Sequence, residues 1–216
     1  MLQKINKLET LIRGGIIAVV RKLDLEACES VSDALVSGGI TAIEVTVDSP
    51  DSFHIIRRLS QRYGDKAVIG AGTVLDGHSA YQAIHSGAEF IFSPTLSSDT
   101  IRTTLRYGKI VIPGVMTPTE ALTAMELGAD AVKIFPAAAI GSQFIKDLTA
   151  PCPQIPMIPT GGVNLNNIAE FIQAGAISAG VGGSLVDKNA VRKGDYEAIK
   201  QIASEFVKKV QEARNR

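Results

Sequence analysis

A repeating strand-then-helix period constrains the fold of this chain more than any other feature. Short apolar runs occupy 16–20, 42–47, 67–71, 90–92, 110–112, 131–135, 157–159 and 179–181, with helix-patterned stretches between them. Several helical stretches close on glycine just before the next run, at Gly38-Gly39, Gly87, Gly108, Gly128 and Gly175. Glycine past a helix end can turn left-handed without a Cβ clash. Gly87, Gly108 and Gly128 lie about 20 residues apart, the length of one strand plus one helix. The junctions SGAEFIF, LGADAVKIF and AGAISAGVG read as copies of one unit. Alternation at this period builds a parallel sheet, because parallel neighbours need a crossover that a helix supplies.

Eight such units in 216 residues predict an α/β fold, a compact (β/α)8 TIM barrel close to the lower size limit of roughly 200 residues. The pattern at 1–13 predicts an extra N-terminal amphipathic helix with Ile5, Leu8 and Ile12 on one side, and 192–213 a closing helix. No linker or low-complexity tract interrupts the chain, so residues 1–216 are expected to form a single barrel domain. An open doubly wound sheet is the competing architecture. Its dinucleotide-binding form needs G-x-G-x-x-G after the first strand, and Arg21-Lys22-Leu23-Asp24 follows Val20 here.

Composition excludes several function classes. Lys plus Arg and Asp plus Glu number 22 each, so no basic excess exists to displace counterions from nucleic acid. The run at 16–20 is far short of a membrane span, so neither membrane nor secretory segment is expected. Cys28 and Cys152 are too few for a disulfide framework and read as reduced thiols of a cytoplasmic protein. His54, His78 and His85 lack metal-ligand spacing, and no P-loop, C-x-x-C or H-E-x-x-H occurs; no metal or cofactor is expected.

Two charges stand where apolar residues belong. In Ala131-Val132-Lys133-Ile134-Phe135, alternation puts Lys133 on the face opposite Val132 and Ile134. The β-branched face belongs under the helices, so Lys133 is expected to point into the barrel. Burial there lowers a lysine's pKa, and a neutral amine attacks carbonyls to form Schiff bases. Glu44 and Thr46 take the same inward face of Ala42-Ile43-Glu44-Val45-Thr46-Val47. A carboxylate beside a buried amine can serve as general acid and base; a purely structural ion pair is the alternative.

The predicted strand ends carry Gly70-Ala71-Gly72-Thr73, Ser93-Pro94, Pro113-Gly114, Phe135-Pro136, Thr160-Gly161-Gly162 and Gly182-Gly183-Ser184. Barrel active sites lie at these carboxyl ends, and phosphate commonly binds between the last two loops. Paired glycines in both loops let backbone N–H groups approach an anion, although tight turns use glycine as well.

Glu44-Val45-Thr46, Gly70-Ala71-Gly72-Thr73, Ser93-Pro94, Ile112-Pro113-Gly114, Lys133-Ile134-Phe135-Pro136 and Pro159-Thr160-Gly161-Gly162-Val163 occur in this order. In these motifs and their spacing, from about residue 14 to 186, the chain resembles the class I 2-keto-3-deoxy-6-phosphogluconate (KDPG) and 4-hydroxy-2-oxoglutarate (KHG) aldolases. The resemblance implies a barrel, usually a homotrimer, that cleaves a 2-keto acid, commonly phosphorylated, to pyruvate and an aldehyde. It implies Lys133 as the Schiff-base lysine and Glu44 as the proton shuttle. Thr73, Pro94 and Phe135 would line the pyruvate pocket, and Thr160, Gly161, Gly162, Gly182, Gly183 and Ser184 would hold the remaining oxygens and the phosphate. Two positions depart from the pattern. Asp48 stands where many members carry a carboxylate-binding Arg, and Ala138 where many carry Glu. Arg21, at the end of the first strand, is the expected substitute anchor, with Asp48 facing away from the ligand; the alternative is a rim arginine paired with Glu44 or Asp48. A phosphosugar-binding barrel without catalysis, and a phosphosugar epimerase or isomerase, are the rival readings; neither needs an inward lysine.

Overall fold

Residues rich in Val and Ile favour the pleated, half-buried surface of a strand. A computed structural model describes residues 2–64 and 66–215 and places parallel strands at β1 Ile16–Val20, β2 Ala42–Thr46, β3 Val68–Gly72 and β4 Phe90–Phe92. They continue as β5 Ile110–Ile112, β6 Gly114–Val115, β7 Val132–Ile134, β8 Met157–Pro159 and β9 Ala179–Val181. The helices that matter for the site and its closure are α1 Leu2–Gly14, α2 Leu25–Ser37, α3 Ser52–Tyr63, and two near the C-terminus, Lys188–Lys193 and Tyr196–Arg214.

Hydrogen bonding runs β5-β4-β3-β2-β1-β9 in one sheet and β6-β7-β8 in the other. Eight strands were expected; nine form among the described residues, because Pro113 has no N–H to donate and splits the fifth stave into β5 and β6. The stave stays continuous in space. Asp130 donates its backbone N–H to Val111 at 3.0 Å and Lys133 donates to Pro113 at 2.8 Å. On the far side Thr160 bridges Gly180 in parallel. The two sheets thus close into an eight-staved barrel, as the period predicted.

Ile17, Ala42, Val68, Phe90, Phe92, Ile110, Ile112, Ala131 and Ile158 fill the barrel, while Val132 and Ile134 pack with the helices outside. Leu11 of α1 joins the interior set with Leu8 beside it, so α1 plugs the amino-terminal mouth. Lys4 of this helix also pairs with Asp130, just ahead of β7, at 2.8 Å. The expected apolar side of α1 needs correction: Ile5 is 54% exposed, and Leu11, which the 5-8-12 pattern omits, is the buried residue. A plug inserts one short arc of its helix into the mouth, not a long stripe. The closing helix begins at Tyr196 and not at 192. Gly194, left-handed at φ 67, ends the preceding helix, and Asp195 caps the next one through Ala198 N–H.

Candidate active site

All twelve side chains and glycines singled out above line one cavity of about 590 Å³ at the carboxyl ends of the strands: Arg21, Glu44, Thr73, Pro94, Lys133, Phe135, Thr160, Gly161, Gly162, Gly182, Gly183 and Ser184. That size suits a small-molecule site.

Lys133 is 5% exposed and Glu44 1%. The Lys133 amine sits 4.2 Å from the centroid of the Phe92 ring and 5.0 Å from that of Phe135. Burial drives its pKa below the ordinary lysine value; Glu44 opposes this shift and Arg21 reinforces it. Burial also pushes Glu44 up to about 7, against the pull of Lys133 and Arg21, while Asp48 adds to the rise. Glu44 Oε2 has no hydrogen-bond partner among the described residues, and no ion pair joins it to Lys133 there. An amine held toward neutrality and a carboxyl poised near neutral pH form an acid–base pair of the kind that C–N bond formation at carbonyls requires.

The β3 glycines make room for this pair. A Cβ at Gly72 would overlap the Glu44 carboxylate, and one at Gly70 would overlap the Phe90 ring. Thr73, next in the chain, holds φ 58. A β-branched residue in the left-handed region is strained by roughly 1–3 kcal/mol, and such strain collects at functional sites.

The last two loops are tied together. Gly161 and Gly162 both require positive φ, at 88 and 81. Ser184 donates its hydroxyl to Val163 O at 2.6 Å, joining the loop after β9 to the loop after β8. The backbone N–H groups of Gly162, Gly183 and Ser184 donate to no protein acceptor among the described residues. Unpaired donors around a cavity suit an anion. The Ser184 hydroxyl proton is committed to Val163, so its backbone N–H is the donor that remains.

Arg21 lies on the cavity wall, but it is not free. Its Nε and Nη2 donate to Asp48 Oδ2 at 3.1 and 2.7 Å. Asp48 is absent from the cavity wall, as expected, yet it holds the arginine rather than standing apart. Burial works against ionisation of Asp48, but the Arg21 bonds win and hold the carboxyl below its usual range. The cavity wall also includes Leu23, Val163, Asn164, Val186, Lys188 and Val191, to which the sequence analysis assigned no role. No local pattern marks these residues; only the folding of three loops over one mouth gathers them. Cys28 is buried and its thiol is pushed up to about 12, first by burial and then by Asp24 and Glu29, which makes it inert as a nucleophile.

The family model for KDPG and KHG aldolase matches residues 8–202. The 2-dehydro-3-deoxy-6-phosphogalactonate aldolase of Escherichia coli K12 is 39% identical over 92% of this chain and 95% of its own length. The 2-dehydro-3-deoxy-phosphogluconate aldolase of Pseudomonas aeruginosa is 33% identical over 98% of this chain and 97% of its own. Among solved structures, a native KDPGal structure superposes with TM-score 0.87 at 37% identity, covering 93% of this chain and 96% of that one. A KDPG aldolase from Legionella pneumophila, with pyruvate captured as a covalent carbinolamine, superposes with TM-score 0.83 at 27% identity, covering 89% and 95%. A barrel with a buried amine in its mouth, matched from end to end by aldolases, is a carbon–carbon lyase: the chain belongs to the KDPG and KHG aldolase family.

Proposed function

We propose that this enzyme cleaves a 2-keto-3-deoxy-6-phospho sugar acid to pyruvate and glyceraldehyde 3-phosphate through an imine on Lys133. The observation that carries the reading is the buried amine, kept toward neutrality beside a carboxyl raised to about 7. Neutral Lys133 attacks the C2 ketone to give a carbinolamine, and loss of water leaves a protonated imine. Glu44 takes the proton of the C4 hydroxyl as the C3–C4 bond breaks, its electrons flowing into the iminium. The aldehyde departs, the enamine gains a proton at C3, and hydrolysis frees pyruvate and the amine. Thr73, Pro94 and Phe135 enclose the three-carbon unit, and Thr160 and Gly161 border the middle of the substrate. The free N–H groups of Gly162, Gly183 and Ser184 take the phosphate. Of the two C4 epimers we favour the galactonate, because a relative named for it reaches 39% identity against 33% for one named for the gluconate. The proposal includes a cytoplasmic homotrimer, whose mass in light scattering would be three times 22.9 kDa.

A coupled pyruvate-release assay across KDPG, its galactonate epimer and KHG tests the substrate. The phosphorylated acids are expected to surpass KHG in kcat/KM; no release from any of the three refutes the activity. Gly183 is the clean probe of the phosphate loop, since nothing lies within 4 Å of a Cβ built there. Gly162 is a poor probe, because its positive φ and a Cβ overlap with Ala138 would strain any side chain. Gly183→Val is expected to raise KM for the phosphorylated substrate far more than for KHG. Equal effects on the two would leave the glycine as a turn former only.

The substrate carboxylate needs a partner inside the barrel mouth. Arg21 supplies it in this reading, since a planar guanidinium holds a carboxylate through two parallel hydrogen bonds. Arg21→Leu is expected to weaken pyruvate binding by about 2 kcal/mol, the scale of a lost charged hydrogen bond. Unchanged pyruvate affinity would assign the carboxylate to hydroxyl and backbone donors instead.

A further inference from the structure

We infer that Asp48 is a positioning residue for substrate binding: it grips one edge of the Arg21 guanidinium and turns the other edge to the cavity. The inference rests on the reading of Arg21 as the carboxylate anchor. A guanidinium has five N–H donors in a planar fork. Asp48 takes the Nε edge, through Nε at 3.1 Å and Nη2 at 2.7 Å, both to Oδ2. The donors left over are the two on Nη1 and the outer one on Nη2. Of these, one on Nη1 and the outer one on Nη2 make the end-on fork that matches a carboxylate, and Arg21 borders the cavity where Asp48 does not.

The neighbouring backbone reinforces the grip. Lys22 donates its N–H to Ser49 Oγ at 2.7 Å, and that oxygen lies 3.0 Å from Thr46 Oγ1 on the inward face of β2. The β1–α2 loop is therefore laced to the β2–α3 loop at two successive residues, Arg21 to Asp48 and Lys22 to Ser49. Lys22 takes φ 55. This left-handed kink turns the chain directly after Arg21, and a residue with a Cβ keeps it only where its surroundings hold it. A long side chain that starts out fixed loses less freedom when the ligand arrives. Asp48 is 30% exposed, so a bare surface pair of this kind would contribute little. The lacing and the aimed fork give the pair a task beyond stability.

Two substitutions separate positioning from simple charge compensation. Asp48→Leu removes the acceptor, whereas Asp48→Asn keeps an oxygen acceptor and removes the charge. The readout is the pyruvate concentration that half-saturates borohydride trapping, alongside kcat and KM for the phosphorylated substrate. Asp48→Leu is expected to raise half-saturation by about threefold to tenfold and to act on KM more than on kcat. Asp48→Asn is expected to recover most of the loss, and Asp48→Leu to add nothing in an Arg21→Leu background. If Arg21→Leu weakens pyruvate binding but Asp48→Leu does not, Asp48 is a bystander and the inference falls while the anchor stands. Tighter binding in both Asp48 variants would make it a brake on the arginine's charge, which also overturns it. No effect of Arg21→Leu removes the anchor and the inference together.

Discussion

Lys133→Met is expected to lower turnover by roughly 10⁴-fold or more and to abolish the covalent adduct with pyruvate, as loss of a nucleophile that carries the whole pathway does. Methionine matches the length of the aliphatic stem and is at home in an apolar surround. The variant should therefore fold. The lysine's folded pKa lies below its unfolded value because burial disfavours the ammonium. Between those two values the unfolded chain holds more protons, so the wild type gains stability as pH rises through that window. Lys133→Met should lack this dependence and melt at least as high at neutral pH. Peptide mapping after incubation with pyruvate and borohydride is the check. Wild type should carry one reduced pyruvyl group on Lys133, and the variant none. An adduct on a different lysine, or turnover within tenfold of wild type, would disprove the assignment.

Glu44→Gln should cut turnover by roughly 10²- to 10⁴-fold, the usual worth of a positioned general base. Imine formation with pyruvate should be slower yet still trappable, since Lys133 remains. The carboxyl titrates at about 7 and must be ionised to accept the C4 hydroxyl proton. In the wild type, kcat/KM for cleavage should rise with pH through that value; in the variant this limb should vanish. Stability moves the opposite way. Because burial raises the folded pKa from 4.5 to about 7, the folded state holds the extra proton in that interval. Stability supplied by this group is full below pH 4.5 and is lost as pH climbs through 7. A neutral amide costs less to bury than a carboxylate. Glu44→Gln should accordingly gain thermal stability relative to wild type at pH 8 and lose that advantage at pH 4. Near-normal turnover with a preserved pH limb would reduce Glu44 to a counter-ion.

The barrel was legible because its signal is repetitive. Glycines after helices and β-branched runs recur at one period, and each copy reinforces the others. The inward aim of Lys133 and Glu44 was legible for a still simpler reason: successive residues of a strand face opposite sides whatever the strand pairs with. Less could be read where one residue's effect depends on a distant partner. Pro113 was visible in the sequence, but its splitting of a stave into β5 and β6 depends on which strand would have received its missing N–H. Gly72 is visible only as part of a strand-end motif, yet its lack of a Cβ is required by the Glu44 carboxylate lying across it from the neighbouring strand. The 5-8-12 stripe of α1 is a fair amphipathic pattern that the plug geometry overrode in favour of Leu11.

Arg21 and Asp48 mark the boundary most sharply. Asp48 could be recognised as a charge unsuited to a substrate carboxylate, and Arg21 as a cation at the right strand end. A pairing of Arg21 with Glu44 or Asp48 was one alternative, but the choice between partners could not be read, because the 26 residues between Arg21 and Asp48 form a helix and a strand whose register sets which side chains meet. Strand alternation, glycine's freedom and a repeated period are properties of the chain itself, so the α/β barrel, the inward lysine and glutamate, and the glycine loops could be read before folding. The raised Glu44 carboxyl, the splitting of the fifth stave and the grip of Asp48 on Arg21 came only with the folded chain. Each of those depends on the burial and distance of groups that the chain brings together from separate strands.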